Sequence, residues 1–268
     1  MKKVRRAAAI VLGAVFLVAL CAGFLAPARY DRQFREAPNA PPSWQHPLGT
    51  DELGRDAFSR LLYGSCVSLL LAPAAAILAT LIAALIGGVA GYSGGWWERV
   101  ALGATDLSLS LPWLFLLLTV RALLPLNVSA MTSVGITFAL LGLLGWSASA
   151  RVICAGARSL RDSDFVLQAR ACGCSGWRLL LRQVLPNLKP VLYAQFWISI
   201  PIFILTETNL GVLGLGVSEP LPSWGSLLRG LEDWQAVQAN PWRLAPLFLL
   251  VVVVSCFQLV LPVEETPL

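Results

Sequence analysis

The stretch CVSLLLAPAAAILATLIAALIGGVA, residues 66–90, decides the fold class of this 268-residue chain. It contains no charged side chain. A helix rises about 1.5 Å per residue, so about 20 apolar residues cross the roughly 30 Å hydrocarbon core of a bilayer. The stretch also lacks the alternation of apolar and polar residues that is typical of a strand. We therefore predict a membrane-spanning helix here.

The composition of the whole chain agrees with this prediction. Hydrophobic residues make up 57% of it and charged residues 13%, whereas soluble domains carry about 25% charged residues. A soluble globule could not cover so much apolar surface with so few charges. We predict an all-α integral membrane protein with six transmembrane helices. They are expected at residues 7–26, 66–90, 100–124, 134–153, 191–210 and 244–262.

The first of these stretches has two interpretations. Lys2, Lys3, Arg5 and Arg6 precede it, and the sequence Ala-Pro-Ala at 26–28 resembles a cleavage site, as in a signal peptide. Its apolar run of about 20 residues is longer than the 7–15 typical of a signal peptide. The length favours an uncleaved membrane anchor.

The positions of the basic residues predict the orientation of the chain. With the N-terminus inside, seven of the 20 Lys and Arg residues lie in one cytoplasmic loop, residues 151–189, and four more lie in the N-terminal tail. Positive charges favour the cytoplasmic side. Both termini are therefore expected in the cytoplasm, and the net charge of +5 reflects topology rather than binding of nucleic acid.

Two segments outside the predicted spans are long enough to have a function. Residues 27–63 end in a run that places Leu53, Phe58 and Leu61 on one side, and we predict a helix there, capped by Thr50 and lying along the outer membrane surface. Residues 158–190 predict a short helix over 165–172, a break at 173–176 and a second helix from 177 to 186.

The segment 158–190 combines basic and apolar side chains. Such an element can dock into a groove on a partner, although a solvated cytoplasmic loop is the alternative. The arginines are Arg170, Arg178 and Arg182, and the predicted apolar side consists of Trp177, Leu180, Leu181 and Val184.

Four passages resemble one family of transporters. FVLQARACG (165–173), followed by LPN (185–187), looks like the EAA coupling motif of binding-protein-dependent ABC importer permeases. Three passages are similar to the dipeptide/oligopeptide/nickel branch, and to its DppC/OppC-type subunit in particular. They are HPLGTDELGRD (46–56), GYSGGW (91–96), and LGLGV (213–217) leading to PSWG (222–225).

The resemblance implies a type I ABC importer (MetI-like) transmembrane fold. It assigns residues 1–64 to a cytoplasmic tail, anchor and extracytoplasmic segment, 65–262 to the permease domain with the coupling loop 158–190, and 263–268 to a short cytoplasmic tail. It implies a subunit of the bacterial inner membrane that forms half of a pathway for peptides or similar small solutes. Its partners would be a second, DppB/OppB-type permease, two cytoplasmic ATPases and an extracytoplasmic solute-binding protein.

Alternatives to a peptide permease stay open at this point. One is a permease of the same branch for nickel or another small solute. Another is a secondary transporter or channel that works without an ATPase, which is expected to show inverted repeats. A membrane enzyme and a non-transporting scaffold are the remaining classes.

The resemblance also implies which residues contact the ATPase. Leu167 and Gln168 stand where the family has Glu and Ala, while the small residues Ala169 and Gly173 allow close approach. The expected coupling residues are Leu167, Gln168, Ala169, Arg170, Gly173, Trp177, Arg178, Leu185 and Pro186.

Two acidic residues within predicted spans are candidates for the transport pathway or its gate. A charge in hydrocarbon costs about 2.5–3.5 kcal/mol even on lenient scales. Asp106 and Glu207 are therefore expected to face the bundle interior or a water-filled cavity.

The chain lacks the sequence patterns for its own catalysis. A phosphate-binding loop needs Gly-x-x-x-x-Gly-Lys followed by Ser or Thr, and none of Lys2, Lys3 and Lys189 has that context. The only histidine, His46, lies near acidic residues, but its Gly-rich, helix-capping context favours a structural role over a metal site. We predict no catalytic residue, no cofactor and no metal. Because the chain has no phosphate-binding loop, the energy for transport is expected to come from partner ATPases.

Overall fold

The computed structural model describes residues 2–123, 128–174 and 176–261, which are helical apart from loops and two isolated β-bridges. The prediction of an all-α protein is confirmed. The α-helices are α1 (Lys2–Leu20), α2 (Ala22–Leu25), α3 (Ala57–Ser93), α4 (Gly95–Ser110), α5 (Trp113–Leu123), α6 (Ala130–Leu144), α7 (Ser147–Arg161), α8 (Asp164–Ala171), α9 (Gly176–Leu179), α10 (Leu185–Asn187), α11 (Lys189–Val212), α12 (Trp224–Arg229), α13 (Trp234–Ala239) and α14 (Ala245–Val260). A π-helix, Leu180–Val184, follows α9, and a 3₁₀-helix, Pro241–Leu244, precedes α14.

Within the described residues, four helical stretches are long and apolar enough to cross a membrane, and a fifth exists if α4 and α5 form one span. Four predicted spans coincide with them, although residue 262 lies outside the described residues. The stretches are Ala57–Ser93, Ala130–Arg161, Lys189–Val212 and Pro241–Val260. The predicted span at 7–26 is helical in α1 and α2, but four basic residues in the first turns of α1 keep it outside this group. The predicted number of six transmembrane helices is therefore not confirmed.

The predicted span at 100–124 is not one straight helix. Helices α4 and α5 meet at an angle of 83°. Leu111 between them is extended, with φ −80° and ψ 132°, as steric contact with Pro112 requires. The predicted span is therefore interrupted, because the proline ends α4, and it counts as a span only if α4 and α5 cross together. Residue 124 lies outside the described residues.

The segment before α3 also differs from the prediction. Thr50 caps no helix, because its Oγ1 accepts a hydrogen bond from the Ala40 N–H at 2.8 Å and donates to the Ala37 carbonyl oxygen at 2.5 Å. Asp56 caps α3 instead, since its Oδ1 accepts a hydrogen bond from the Ser59 N–H at 2.6 Å. Its Oδ2 lies 2.9 Å from His46 Nδ1. The run that contains Leu61 thus forms the first turns of α3 and not a separate helix.

The contacts divide the chain into two compact units. The divisions within α3 and α11 fall at the prolines inside these helices, Pro73 and Pro201. The first unit comprises Met1–Ala72, Arg121–Phe138 and Pro201–Leu268, and the second comprises Pro73–Val120 and Ala139–Ile200.

In the first unit, α14 packs against both α1 and α12. The rings of Phe16 in α1 and Phe257 in α14 are 6.4 Å apart in an edge-to-face arrangement. Trp224 at the start of α12 is fully buried. The predicted anchor is therefore held against a helix that meets the requirements for a span.

In the second unit, α3 and α7 pack at very short range. A side chain on Gly91 would lie 2.2 Å from the carbonyl oxygen of Cys154, and one on Gly87 would lie 2.3 Å from that of Ala150. Small residues at such a helix interface allow the backbones to approach closely. The buried residues of α7 then continue into one apolar core with the segment 164–188.

Candidate functional site

The segment 164–188 begins with α8, and the local sequence explains where this helix ends. Gly173 adopts a left-handed conformation with φ +81°. The N–H of Cys174 donates to the Ala169 carbonyl oxygen, and the N–H of Gly173 donates to that of Arg170, each at 3.1 Å. These two bonds form a Schellman motif, in which glycine is favoured at the left-handed position. The predicted helix and the break at residue 173 are confirmed.

The second half of the segment is helical but irregular. The Leu185 N–H donates to the Leu180 carbonyl oxygen, five residues earlier, as in a π-helix. Pro186 follows and has no N–H to donate. It lies in the first turn of α10, and the chain then enters α11. The predicted second helix therefore exists as a short α-turn joined to a π-helix.

The segment presents one buried side and one exposed side. The buried side packs on Ile153 and Ala157 of α7 and consists of Val166, Leu179, Leu180, Val184 and Leu188. The exposed side carries both large apolar and basic residues. We define the coupling surface as Phe165, Leu167, Arg170, Trp177, Arg178 and Leu181, all of which are exposed.

The predicted apolar side is wrong in part. Leu180 and Val184 are buried, whereas Trp177 and Leu181 are 65% and 58% exposed. The π-helix changes the angular spacing that the prediction assumed. The remaining predicted coupling residues divide similarly: Gln168, Gly173 and Pro186 are exposed, and Ala169 and Leu185 are half-buried.

The structure pairs one of the two predicted pathway acids with a base. Asp106 in α4 forms an ion pair with Arg151 in α7, and both side chains are about half exposed in this chain. Glu98 in the first turn of α4 forms a second ion pair, with Arg158 in the last turn of α7. Sequence reasoning missed these pairs, because it assigned both arginines to a cytoplasmic loop and not to α7.

Glu207, the other predicted acid, is fully buried in the first unit. The Ser68 hydroxyl donates to its Oε2 at 3.3 Å, while its Oε1 has no hydrogen-bond partner among the described residues. Ser68 also accepts a hydrogen bond from the backbone N–H of Trp224 at 3.2 Å. The carboxyl group thus lies at the junction of α3, α11 and α12.

Glycine makes that junction possible. A side chain on Gly211 of α11 would lie 2.5 Å from the Cα atom of Gly225 in α12. The Trp224 indole N–H donates to Ser65 Oγ at 3.0 Å, and Ser223 caps α12. Gly211 and Gly225 of the passage PSWG therefore allow α11 and α12 to approach closely, and Gly216 of the passage LGLGV packs against Gly211.

Arg121 is a buried residue that sequence reasoning counted only as a loop charge. Its guanidinium donates to the carbonyl oxygen of Leu215 at 3.1 Å and to Ser133 Oγ at 2.8 Å. It also lies 3.4 Å from the carbonyl oxygen of Gly216. Arg121 thus fixes the loop after α11. Its position at the end of an apolar helix gave no signal of this role.

A cavity of about 320 Å³ lies in the first unit beside the segment 48–61. Glu219 on its wall accepts hydrogen bonds from Arg55 at 2.6 Å and Arg60 at 2.9 Å. Burial opposes the charged form of Glu219, but the two guanidinium groups outweigh it and hold the pKa of the carboxyl below its ordinary value of 4.5. This ion-pair network joins the start of α3 to the loop before α12.

The apolar helices define a multi-pass membrane protein, in which the segment 164–188 exposes both apolar and basic side chains. A family model described as "Binding-protein-dependent transport system inner membrane component" matches residues 63–263. The chain belongs to this family of inner-membrane permeases, and the predicted resemblance is confirmed.

Relatives with assigned names agree with this membership. The chain is 33% identical over 258 residues to the oligopeptide transport system permease protein OppC of Mycobacterium bovis, covering 95% of this chain and 87% of that protein. It is 31% identical over 243 residues to the dipeptide transport system permease protein DppC of Bacillus subtilis, covering 90% and 73%. It is 31% identical over 241 residues to OppC of Bacillus subtilis, covering 88% and 74%.

Proposed function

We propose that this chain is a permease subunit of an ABC importer and forms half of a translocation pathway for peptides or similar small solutes. The names of its relatives support the substrate class. The coupling role rests on one observation about the segment 164–188. One side of this segment is anchored in a core, while its other side exposes large apolar and basic side chains.

The coupling surface suits a protein groove better than water. Leu167 and Trp177 are 48% and 65% exposed, and such apolar area favours burial against a partner. Arg170 and Arg178 supply donors for carboxylates at the rim of a groove. The partner we propose is a cytoplasmic ATPase, whose closure on ATP would push on this surface.

We further propose a role in gating for Glu207 and Asp106. A fully buried carboxyl oxygen without a partner among the described residues is costly, and such groups concentrate at functional positions. Glu207 lies where three helices meet, so that a movement of α12 would change its surroundings. Asp106 reaches the coupling segment through α7 and its pair with Arg151.

The proposal includes a complete assembly. The chain would cross the inner membrane six times, with both termini in the cytoplasm, α1 as an uncleaved first span and residues 65–262 as the permease domain. The proposed tail, 263–268, lies outside the described residues. The other components would be a DppB/OppB-type permease, two ATPases and an extracytoplasmic solute-binding protein.

ATP-driven uptake by the purified assembly tests the proposed function. The chain is purified with its co-expressed partners, placed in liposomes and supplied with a ligand-loaded binding protein outside and ATP inside. Labelled di- and oligopeptides should accumulate only when ATP and binding protein are both present.

Two results would refute the proposal. Uptake that follows an ion gradient and ignores ATP would indicate a secondary transporter. Accumulation of nickel in place of every tested peptide would retain the ABC permease but overturn the substrate class.

A further inference from the structure

Helices α4 and α7 are joined by polar contacts that occur in a regular antiparallel order. As residue numbers rise along α4, the numbers of their partners fall along α7. The two ion pairs are spaced eight residues apart on α4 and seven apart on α7, which is about two turns of each helix. The pairs are Glu98 with Arg158, Asp106 with Arg151, and Ser108 with Ser147, whose hydroxyl oxygens are 2.6 Å apart.

The Glu98–Arg158 pair closes one end of this row. Glu98 lies in the first turn of α4 and is buried, and Arg158 lies in the last turn of α7. Each charge also has the sign that the adjacent helix end favours. Removal of Arg158 would leave a buried carboxylate without its partner, which is far less favourable than loss of a surface pair.

Helix α7 connects this row directly to the coupling segment. Helix α8 begins three residues after α7 ends, and Val166 packs with Ile153 and Ala157 in the same core. Helix α7 also lies against α3, with almost no space at Gly91. A displacement of the coupling segment would therefore be passed to α7, which is joined to α4 by the two ion pairs.

We propose that Glu98, Arg158, Asp106 and Arg151 are positioning residues that make α4 follow α7 when the ATPases close. This inference rests on the proposed function, since it concerns how coupling reaches the spans. It assigns to Arg151 and Arg158 a task beyond membrane orientation. A basic residue that only oriented the chain would have to lie on the cytoplasmic side of the membrane, but it would not require an acidic partner on α4.

Charge neutralisation and charge exchange in the purified assembly test the inference. We expect Glu98→Gln and Arg158→Gln each to reduce uptake per ATP hydrolysed about tenfold, which is the size of effect seen for residues that carry coupling. Binding-protein-stimulated ATP hydrolysis should continue. The exchange Glu98→Arg with Arg158→Glu should restore uptake to within about threefold of the unmodified assembly, and Arg158→Lys should retain most of it. The same series applies to Asp106 and Arg151.

Arg99→Gln is the matched control. Arg99 is the next residue on α4, is exposed and forms no ion pair with a described residue. Its neutralisation removes the same charge from the same side of the membrane and should leave uptake per ATP unchanged. Assembly of every variant is followed by size-exclusion chromatography. If a single variant fails to assemble, the double variant Glu98→Gln with Arg158→Gln replaces it and should assemble but remain uncoupled.

The failure of this inference differs from the failure of the proposed function. If the unmodified assembly shows no ATP-driven uptake, the proposed function is wrong. If the unmodified assembly transports while the neutral variants transport equally well, or while the exchange variant assembles and restores nothing, the positioning role is overturned.

Discussion

Truncation of Trp177 should weaken the binding of the ATPase to this chain. The Trp177 side chain is 65% exposed, and a tryptophan buries on the order of 200 Å² when fully covered. About 130 Å² thus remains for a partner to cover, worth about 3 kcal/mol at roughly 25 cal/mol per Å². Because part of such a gain is offset by the cost of association, we expect Trp177→Ala to lose about 2 kcal/mol, or about 30-fold in affinity.

The affinity of the purified ATPase for the reconstituted permease pair measures this effect, for example by fluorescence titration on nanodiscs. Trp44→Ala is the matched control, since Trp44 is fully exposed in a loop of the first unit and lies far along the chain from the coupling surface. It should leave the affinity unchanged. Equal affinities for Trp177→Ala and the unmodified chain would refute the docking of the ATPase on the coupling surface.

Three further predictions concern the glycines and the ion-pair network. Gly173→Ala should reduce ATP-driven uptake, because a left-handed conformation costs a non-glycine residue about 1–2 kcal/mol. The control Gly176→Ala, which also has free space around it, should be tolerated. Equal uptake by the two variants would contradict a requirement for the Schellman motif. Gly211→Ala should lower the melting temperature of the purified protein by an amount equivalent to about 1–3 kcal/mol, since its Cβ would overlap α12. The control Gly103→Ala, which has open space around it, should leave the melting temperature unchanged. The same melting temperature for both variants would argue against the close contact between α11 and α12. The ion pairs of Glu219 add stability that is fully present above its ordinary pKa of 4.5 and is lost as the pH falls through the lowered value in the folded protein. Glu219→Gln should therefore lower the melting temperature at neutral pH by the equivalent of about 1 kcal/mol or less, and this difference should shrink as the pH is lowered below 4.5. A difference that does not change with pH would show that charge is not the cause.

The sequence predicts four of the spanning helices, because length and apolar composition alone set the requirement for crossing a bilayer. It fails where one residue changes the path of the backbone. Pro112 divides the predicted span at residues 100–124 into two helices that meet at 83°. Asp56 rather than Thr50 caps α3, since either residue type can cap and only the folded loop decides between them.

The coupling segment shows what periodicity can and cannot predict. Its break was predictable because Gly173 is the residue type that a Schellman motif favours. The exposure of Trp177 and Leu181 beside buried Leu180 and Val184 was not, because the π-helix departs from the 3.6-residue period. Contacts over long sequence separations, such as Arg158 with Glu98, leave no local pattern at all.

Photo-crosslinking from single positions of the segment, carried out on the assembled transporter in its membrane, tests the central claim most directly. A photoreactive residue at the exposed positions 167 and 181 should form adducts with the ATPase, and one at the buried position of Leu179 should form none with it. Adducts from position 179, or none from 167 and 181 in an assembly that still hydrolyses ATP, would contradict the claim that this surface carries the coupling.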